Sequence, residues 1–76
     1  NEGCASVYEA DWGKDATVTL HAEHAPLQVY ITEGALLTEQ SGILQTYHAG
    51  DRLQVAPQET LPARAGSAGC RAVLGE

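Results

Sequence analysis

His21, His24 and His48, with Glu23 between the first two, are the residues whose types could hold a metal ion, since imidazole nitrogens and carboxylates are ordinary zinc ligands. Spacing limits them. On a pleated strand, residues three apart point to opposite faces, so His21 and His24 reach one ion only if the chain bends near Ala25-Pro26. Nucleophiles are few: Ser6, Ser41 and Ser67 lie near a terminus or in a turn, and none sits in a Gly-x-Ser-x-Gly elbow. Asp11 and Asp15 flank Trp12-Gly13-Lys14, a stretch that reads as a loop where both carboxylates stay solvated. No glycine-rich run of the phosphate-cradling kinds occurs. The residues therefore point to a protein that is not an enzyme, with no resident cofactor, and with His21, His24 and His48 as the candidate metal set.

Cys4 and Cys70 stand almost at opposite ends of the chain. Neither belongs to a Cys-x-x-Cys pair, so a structural disulfide tying the terminal strands together is expected in place of a reactive thiolate. In the chain-entropy picture, closing so long a loop contributes about 4 kcal/mol. The chain contains no methionine and does not open on a signal segment. A targeting peptide already removed, or an excised domain, is the expectation, and with the bridge it suggests a secreted, periplasmic or cell-surface location.

These elements belong to a chain of 76 residues, 43% apolar and 18% charged, with ten acidic residues against Lys14, Arg52, Arg64 and Arg71. One domain spanning 1–76 is all this length allows. Its net charge of −6 repels phosphate backbones. Nucleic acid is therefore excluded as a partner, and no apolar run is long enough for membrane insertion by a helix. A domain of this size buries only about 60% of its unfolded surface. Additional stability from a bridge, a metal or a second subunit is expected.

The positioning elements read as strands. Val18, Leu20 and Ala22 alternate with Thr17, Thr19, His21 and Glu23; Leu27, Val29 and Ile31 then alternate with Gln28, Tyr30 and Thr32. Glu33-Gly34, Ser41-Gly42 and Ala49-Gly50-Asp51 read as turns separating strands at Ala35 to Gln40, Ile43 to Tyr47, and Leu53 to Val55. Pro57 to Gly69 reads as a loop with a short extended piece at Thr60 and Leu61, before a last strand from Cys70 through Leu74. A first strand around Ala5 to Tyr8 would place Cys4 beside Cys70. The pattern predicts an all-β fold: a small antiparallel β-sandwich or barrel of six or seven strands with its termini tied by one disulfide.

The segment Val29-Tyr30-Ile31-Thr32-Glu33-Gly34-Ala35-Leu36-Leu37, followed by Tyr47-His48-Ala49-Gly50-Asp51-Arg52-Leu53-Gln54-Val55-Ala56-Pro57, resembles the middle of a cupin. The resemblance covers residues 29–57 and implies a small β-barrel. It departs from the family's metal-binding pattern. Gly50 to Pro57 is one residue longer than usual, and Gln58, Glu59 and Thr60 replace the glycine and histidine expected after the proline. Leu27 occupies the position of the metal-binding glutamate, and His21 and His24 are one residue too far apart to match the first histidine pair. The resemblance thus implies a cupin-like fold that has lost its metal chemistry.

What remains is surface. Thr17, Thr19, Gln28, Tyr30, Thr32, Thr38, Gln40, Gln45 and Thr46 are expected to face outward, an uncharged polar set suited to contact. Trp12, Tyr30 and Tyr47 are the candidate contact anchors, because aromatic rings bury much area at low entropy cost. The expectation is a non-enzymatic domain acting through protein–protein contact, as a structural or self-assembling subunit, with partners that include other copies of itself. The alternatives are a cupin-like small-ligand or metal-binding domain and an acidic inhibitor of a basic enzyme.

Overall fold

The structure, a computed structural model, describes residues 7–76. Its elements are β1 (Val7–Trp12), β2 (Thr17–His21), β3 (Leu27–Gln40), β4 (Ile43–His48), β5 (Arg52–Val55) and β6 (Thr60–Gly75). All pairings are antiparallel: β6 pairs with β1, β2 and β3, and β3 also pairs with β4 and β5. The two long strands bend, so that one sheet becomes two facing halves. One half runs β2-β6-β3-β4 through Thr60 to Ala65 and Leu36 to Gln40; the other runs β1-β6-β3-β5 through Cys70 to Gly75 and Leu27 to Gly34. Between them lies one contiguous apolar core, which includes Leu20, Ile31, Leu36, Val55, Leu61, Ala72 and Leu74.

The bend explains where the strand reading departs from the structure. Glu33-Gly34 is no chain-reversing turn; β3 continues through it and bends there, and register shifts between Ile31 and Glu33 and between Gly34 and Leu36 leave extra residues in the ladder. Across the two shifts together, the side chains of β3 that face inward change from odd to even positions. Leu27, Val29 and Ile31 are buried before the bulges, and Leu36 and Thr38 after them. Thr38, expected outside, is therefore 4% exposed. The expected loop from Pro57 to Gly69 is mostly strand, because β6 begins at Thr60 and passes the same bend near Gly66 to Gly69, its buried positions shifting from Leu61, Ala63 and Ala65 to Cys70, Ala72 and Leu74. Pro62 is accommodated beyond Ala63, where β3 no longer pairs with β6 and the strand has a neighbour on one side only.

Glycine is required where the halves join. Gly34 has φ +78, and a Cβ there would lie 2.2 Å from the carbonyl oxygen of Gly69. Gly69 itself has φ +81, and its Cβ would stand 3.0 Å from the Trp12 oxygen. The β3 and β6 backbones thus meet at Gly34 more closely than any side chain permits, and the end of β1 crowds Gly69 from the other side.

The terminal bridge is corrected by the register. Cys70 is a buried free thiol, and the residue opposite it on β1 is Trp12, while Val7 lies opposite Gly75 at the far end of β6. Cys4, with Ala5 and Ser6 of the expected first strand, lies outside the described residues. The N-terminal strand itself is Val7 to Trp12, so Trp12 ends a strand and packs half-buried against the core where a loop was expected.

Candidate functional site

The three histidines do not converge. His21 ends β2, where its Nδ1 lies 2.9 Å from Thr60 Oγ1 and its Nε2 lies 3.5 Å from Glu23. His24 stands in the bend before β3. His48 ends β4, opposite Ala35. β2 and β4 are the two margins of one half-sheet, about 14 Å apart, and the register places His21 and His48 about six residues apart along the strand direction, about 20 Å. They occupy opposite corners. Among the described residues, no group of three His, Cys, Asp or Glu side chains is placed to hold a metal ion.

His48 is instead a turn residue. Its backbone N–H donates to Asp51 Oδ2 at 2.8 Å, and the Asp51 N–H donates back to the His48 carbonyl at 2.9 Å. Gly50, with φ +95, donates its N–H to the Ile31 carbonyl, and Ile31 donates to the Asp51 carbonyl. The Gly50-Asp51 step that resembles a cupin thus clamps the β4–β5 turn onto β3, a structural task that needs no metal.

Cys70 is no better placed for chemistry. Burial, and then the charge of Asp11, push its thiol above the ordinary value of 9.0. At neutral pH the sulfur stays protonated, which removes the thiolate that nucleophilic or metal-binding chemistry requires. Outside it, at the same end of the strands, Arg71 donates to Asp11 at 3.1 Å and lies 3.9 Å from Glu33. The hydrogen bond to Asp11, reinforced by neighbouring carboxylate charge, raises the guanidinium value further. This three-strand ion cluster was invisible in the chain, where Asp11 and Arg71 are remote; the pairing of β1 with β6 creates it.

The aromatic candidates divide. Trp12 and Tyr47 both pack half-buried against the core, and the Tyr47 hydroxyl donates to Gln45 at 2.9 Å. Tyr30 is the outward one, 44% exposed. It lies beside Val73 and Arg52 in neighbouring strands, on a groove of about 790 Å³ bounded also by Val7, Gln28 and Gly75. The missing side chain at Gly75 forms its floor between Val7 and Gln28. The volume is that of a small-molecule or side-chain pocket. Sequence singled out Tyr30 but not Val7 or Val73, because only the register gathers them. Ile43 and Leu44 were likewise passed over as ordinary strand residues, yet they are 63% and 75% exposed.

This geometry is shared with known folds. The chain superimposes on the cupin domain of Cnp3 from Schizosaccharomyces pombe with a TM-score of 0.81 and 10% identity, covering 99% of this chain and 56% of that one. An RmlC-like cupin from Shewanella frigidimarina gives 0.72 and 20%, covering 91% and 62%. Drosophila melanogaster CENP-C, in a structure bound to CAL1, gives 0.75 and 11%, covering 99% and 62%. The fold is cupin-like. The chain spans less than two thirds of the length of each of these three proteins. No family profile matches the sequence, and no curated protein matches it.

Proposed function

We propose that this chain is a non-catalytic contact domain on a cupin-like scaffold, acting by binding another protein or further copies of itself. The observation that carries the reading is the placement of its exposed apolar side chains: Val7, Tyr30, Ile43 and Leu44 lie on sheet margins and a groove, where association buries them. The residues able to do chemistry are dispersed or occupied structurally. One neighbour of the same fold, Drosophila CENP-C, is described as bound to a second protein, which supports a scaffold compatible with that use. An extracytoplasmic location belongs to the same reading; recovery of the protein from the soluble cytoplasm overturns it. The main test is sedimentation velocity from about 1 µM to about 1 mM. Mass that rises with concentration supports self-association, and a constant 8.0 kDa restricts the reading to a different partner protein.

A small-ligand reading is favoured by one observation, the groove beside Tyr30. Saturable binding of the dye 1-anilinonaphthalene sulfonate by the monomer, abolished in Tyr30→Ala, is its expected sign. Absence of saturable binding removes it.

A further inference from the structure

Among the described residues, every strand but β3 and β6 has one neighbour, which gives the sheet four margins: β1, β2, β4 and β5. Natural edges are blunted by charge, proline, bulges or brevity. β1 carries Glu9 and Asp11, β5 is four residues long and begins with Arg52, and β2 has five residues and lies between Asp15 and Glu23. β4 has none of these devices. It is six residues of strong strand formers, Ile43-Leu44-Gln45-Thr46-Tyr47-His48, paired without irregularity to β3.

The hairpin turn sets which of its backbone groups are free. Ser41 and Gly42, with φ +55 and +80, form a two-residue type I′ loop, whose flanking residues Gln40 and Ile43 exchange backbone hydrogen bonds. Bonded pairs then alternate along the ladder, so Ile43, Gln45 and Tyr47 turn their N–H and C=O groups toward β3. Leu44, Thr46 and His48 turn theirs outward. His48 confirms this phase, because its outward N–H and C=O are those taken by Asp51. Leu44 and Thr46 present theirs at the open margin.

Charge selects the occupant. A chain of net charge −6 meets its own copy at a cost wherever carboxylates face each other. Residues 40–50 are the longest stretch without Asp, Glu, Lys or Arg, and β4 lies wholly within it. A basic partner would gain nothing from this strand, whereas a second copy meets it without repulsion. We infer that β4 is a homodimer edge, pairing antiparallel with the β4 of a second copy about a two-fold axis at Gln45. Leu44 of each strand exchanges backbone hydrogen bonds with Thr46 of the other, roughly four bonds in all. Ile43 lies across from the other copy's Tyr47 on the face continuous with the core, and Leu44 beside the other Thr46 on the outer face. The pairing joins two sheets into one and covers Leu44 and Ile43, the most exposed large apolar side chains among the described residues.

This inference rests on the contact reading and names the partner and the strand. The decisive variants are Thr46→Lys, which places a charge on the free margin, and Thr19→Lys, the same change on the β2 margin. The wild type should reach twice 8.0 kDa at high concentration, Thr46→Lys should weaken the dimer by roughly a hundredfold or more, and Thr19→Lys should leave it unchanged. Retained cooperative unfolding and far-UV circular dichroism establish that each variant folds. In a Cys4→Ser, Cys70→Ala background, Gln45→Cys should form an interchain disulfide on oxidation, since opposed residues of a non-hydrogen-bonded pair have Cα atoms about 4.5 Å apart. Ile43→Cys should not. A dimer that survives Thr46→Lys, or that fails to cross-link through Gln45→Cys, overturns the β4 edge while leaving self-association intact. A monomer at every concentration overturns the dimer and leaves only contact with a different protein.

Discussion

β6 and β4 invert the usual relation between strand-forming residues and strand position. β6 carries Pro62, Gly66 and Gly69 and is rich in alanine, a composition of low strand propensity, yet it is the centre of the sheet, paired with β1, β2 and β3. β4 carries isoleucine, threonine and tyrosine and is a margin with one neighbour. Packing accounts for both. At the centre, two halves of one sheet must approach across a thin core, and Ala63, Ala65 and Ala72 are small enough to be buried between longer side chains from β2, β3 and β5. Strand propensity describes a fit to a half-buried pleated surface, and at a margin that fit is left for a partner to complete.

The sharpest way to break this contrast is at the bend. Gly34→Ala forces a Cβ onto the Gly69 carbonyl at a positive φ and should cost about 3 kcal/mol or more, or prevent folding. Gly42→Ala, with similar φ but open space around it, should cost only about 1–2 kcal/mol. Urea denaturation of both variants separates steric closure from backbone strain, and equal losses would refute the close-approach account.

Truncating the core and the margin should differ next. Leu74→Ala removes a side chain 2% exposed and should cost about 2–5 kcal/mol. Leu44→Ala, 75% exposed, should change the stability of the monomer by no more than about 0.5 kcal/mol. A large loss from Leu44→Ala at low protein concentration would mean that β4 is packed within the single chain.

A smaller effect concerns pH. The folded-state value of the Cys70 thiol is raised by burial and by Asp11, so the folded protein holds that proton more tightly than the unfolded chain. Stability is then unaffected well below 9.0 and falls as pH rises from there through the raised folded value. Cys70→Ala should flatten this alkaline slope relative to the wild type. An unchanged slope assigns it to other groups. Least of all, Arg71→Gln removes the exposed ion cluster with Asp11 and Glu33, and its small effect should vanish in high salt.

Much of the sheet was legible from residue patterning. The alternation in Thr17 to His21 and Leu27 to Ile31, the Ser41-Gly42 turn and the short strand at Leu53 to Val55 are local, period-two signals, and each lies where the structure has it. β6 before Cys70 was not legible, because its glycines and proline are the residues that end strands elsewhere. Thr38 was misplaced for a related reason: a bulge shifts the inward phase, and bulges are set by the bend between two half-sheets and not by the residues around them. The candidate site divided in the same way. Tyr30 could be named from its place in an alternating run, whereas the Asp11–Arg71–Glu33 cluster, the separation of His21 from His48, and the distance in register between Val7 and Cys70 all depend on pairings between remote segments.

What the amino-acid order determined by itself is therefore the class of the fold, its acidic balance and most of its strands, since strand alternation and turn chemistry act over a few residues. The tertiary structure alone decided which strands are central, which side chains face in after each bulge, and which margin stays open, since those follow from antiparallel register between residues as remote as Val7 and Gly75, sixty-eight positions apart. The uncharged run at residues 40–50 illustrates the division. Its neutrality is written in the sequence, but only its place at the edge of the sheet leaves its outward hydrogen-bonding groups for another chain.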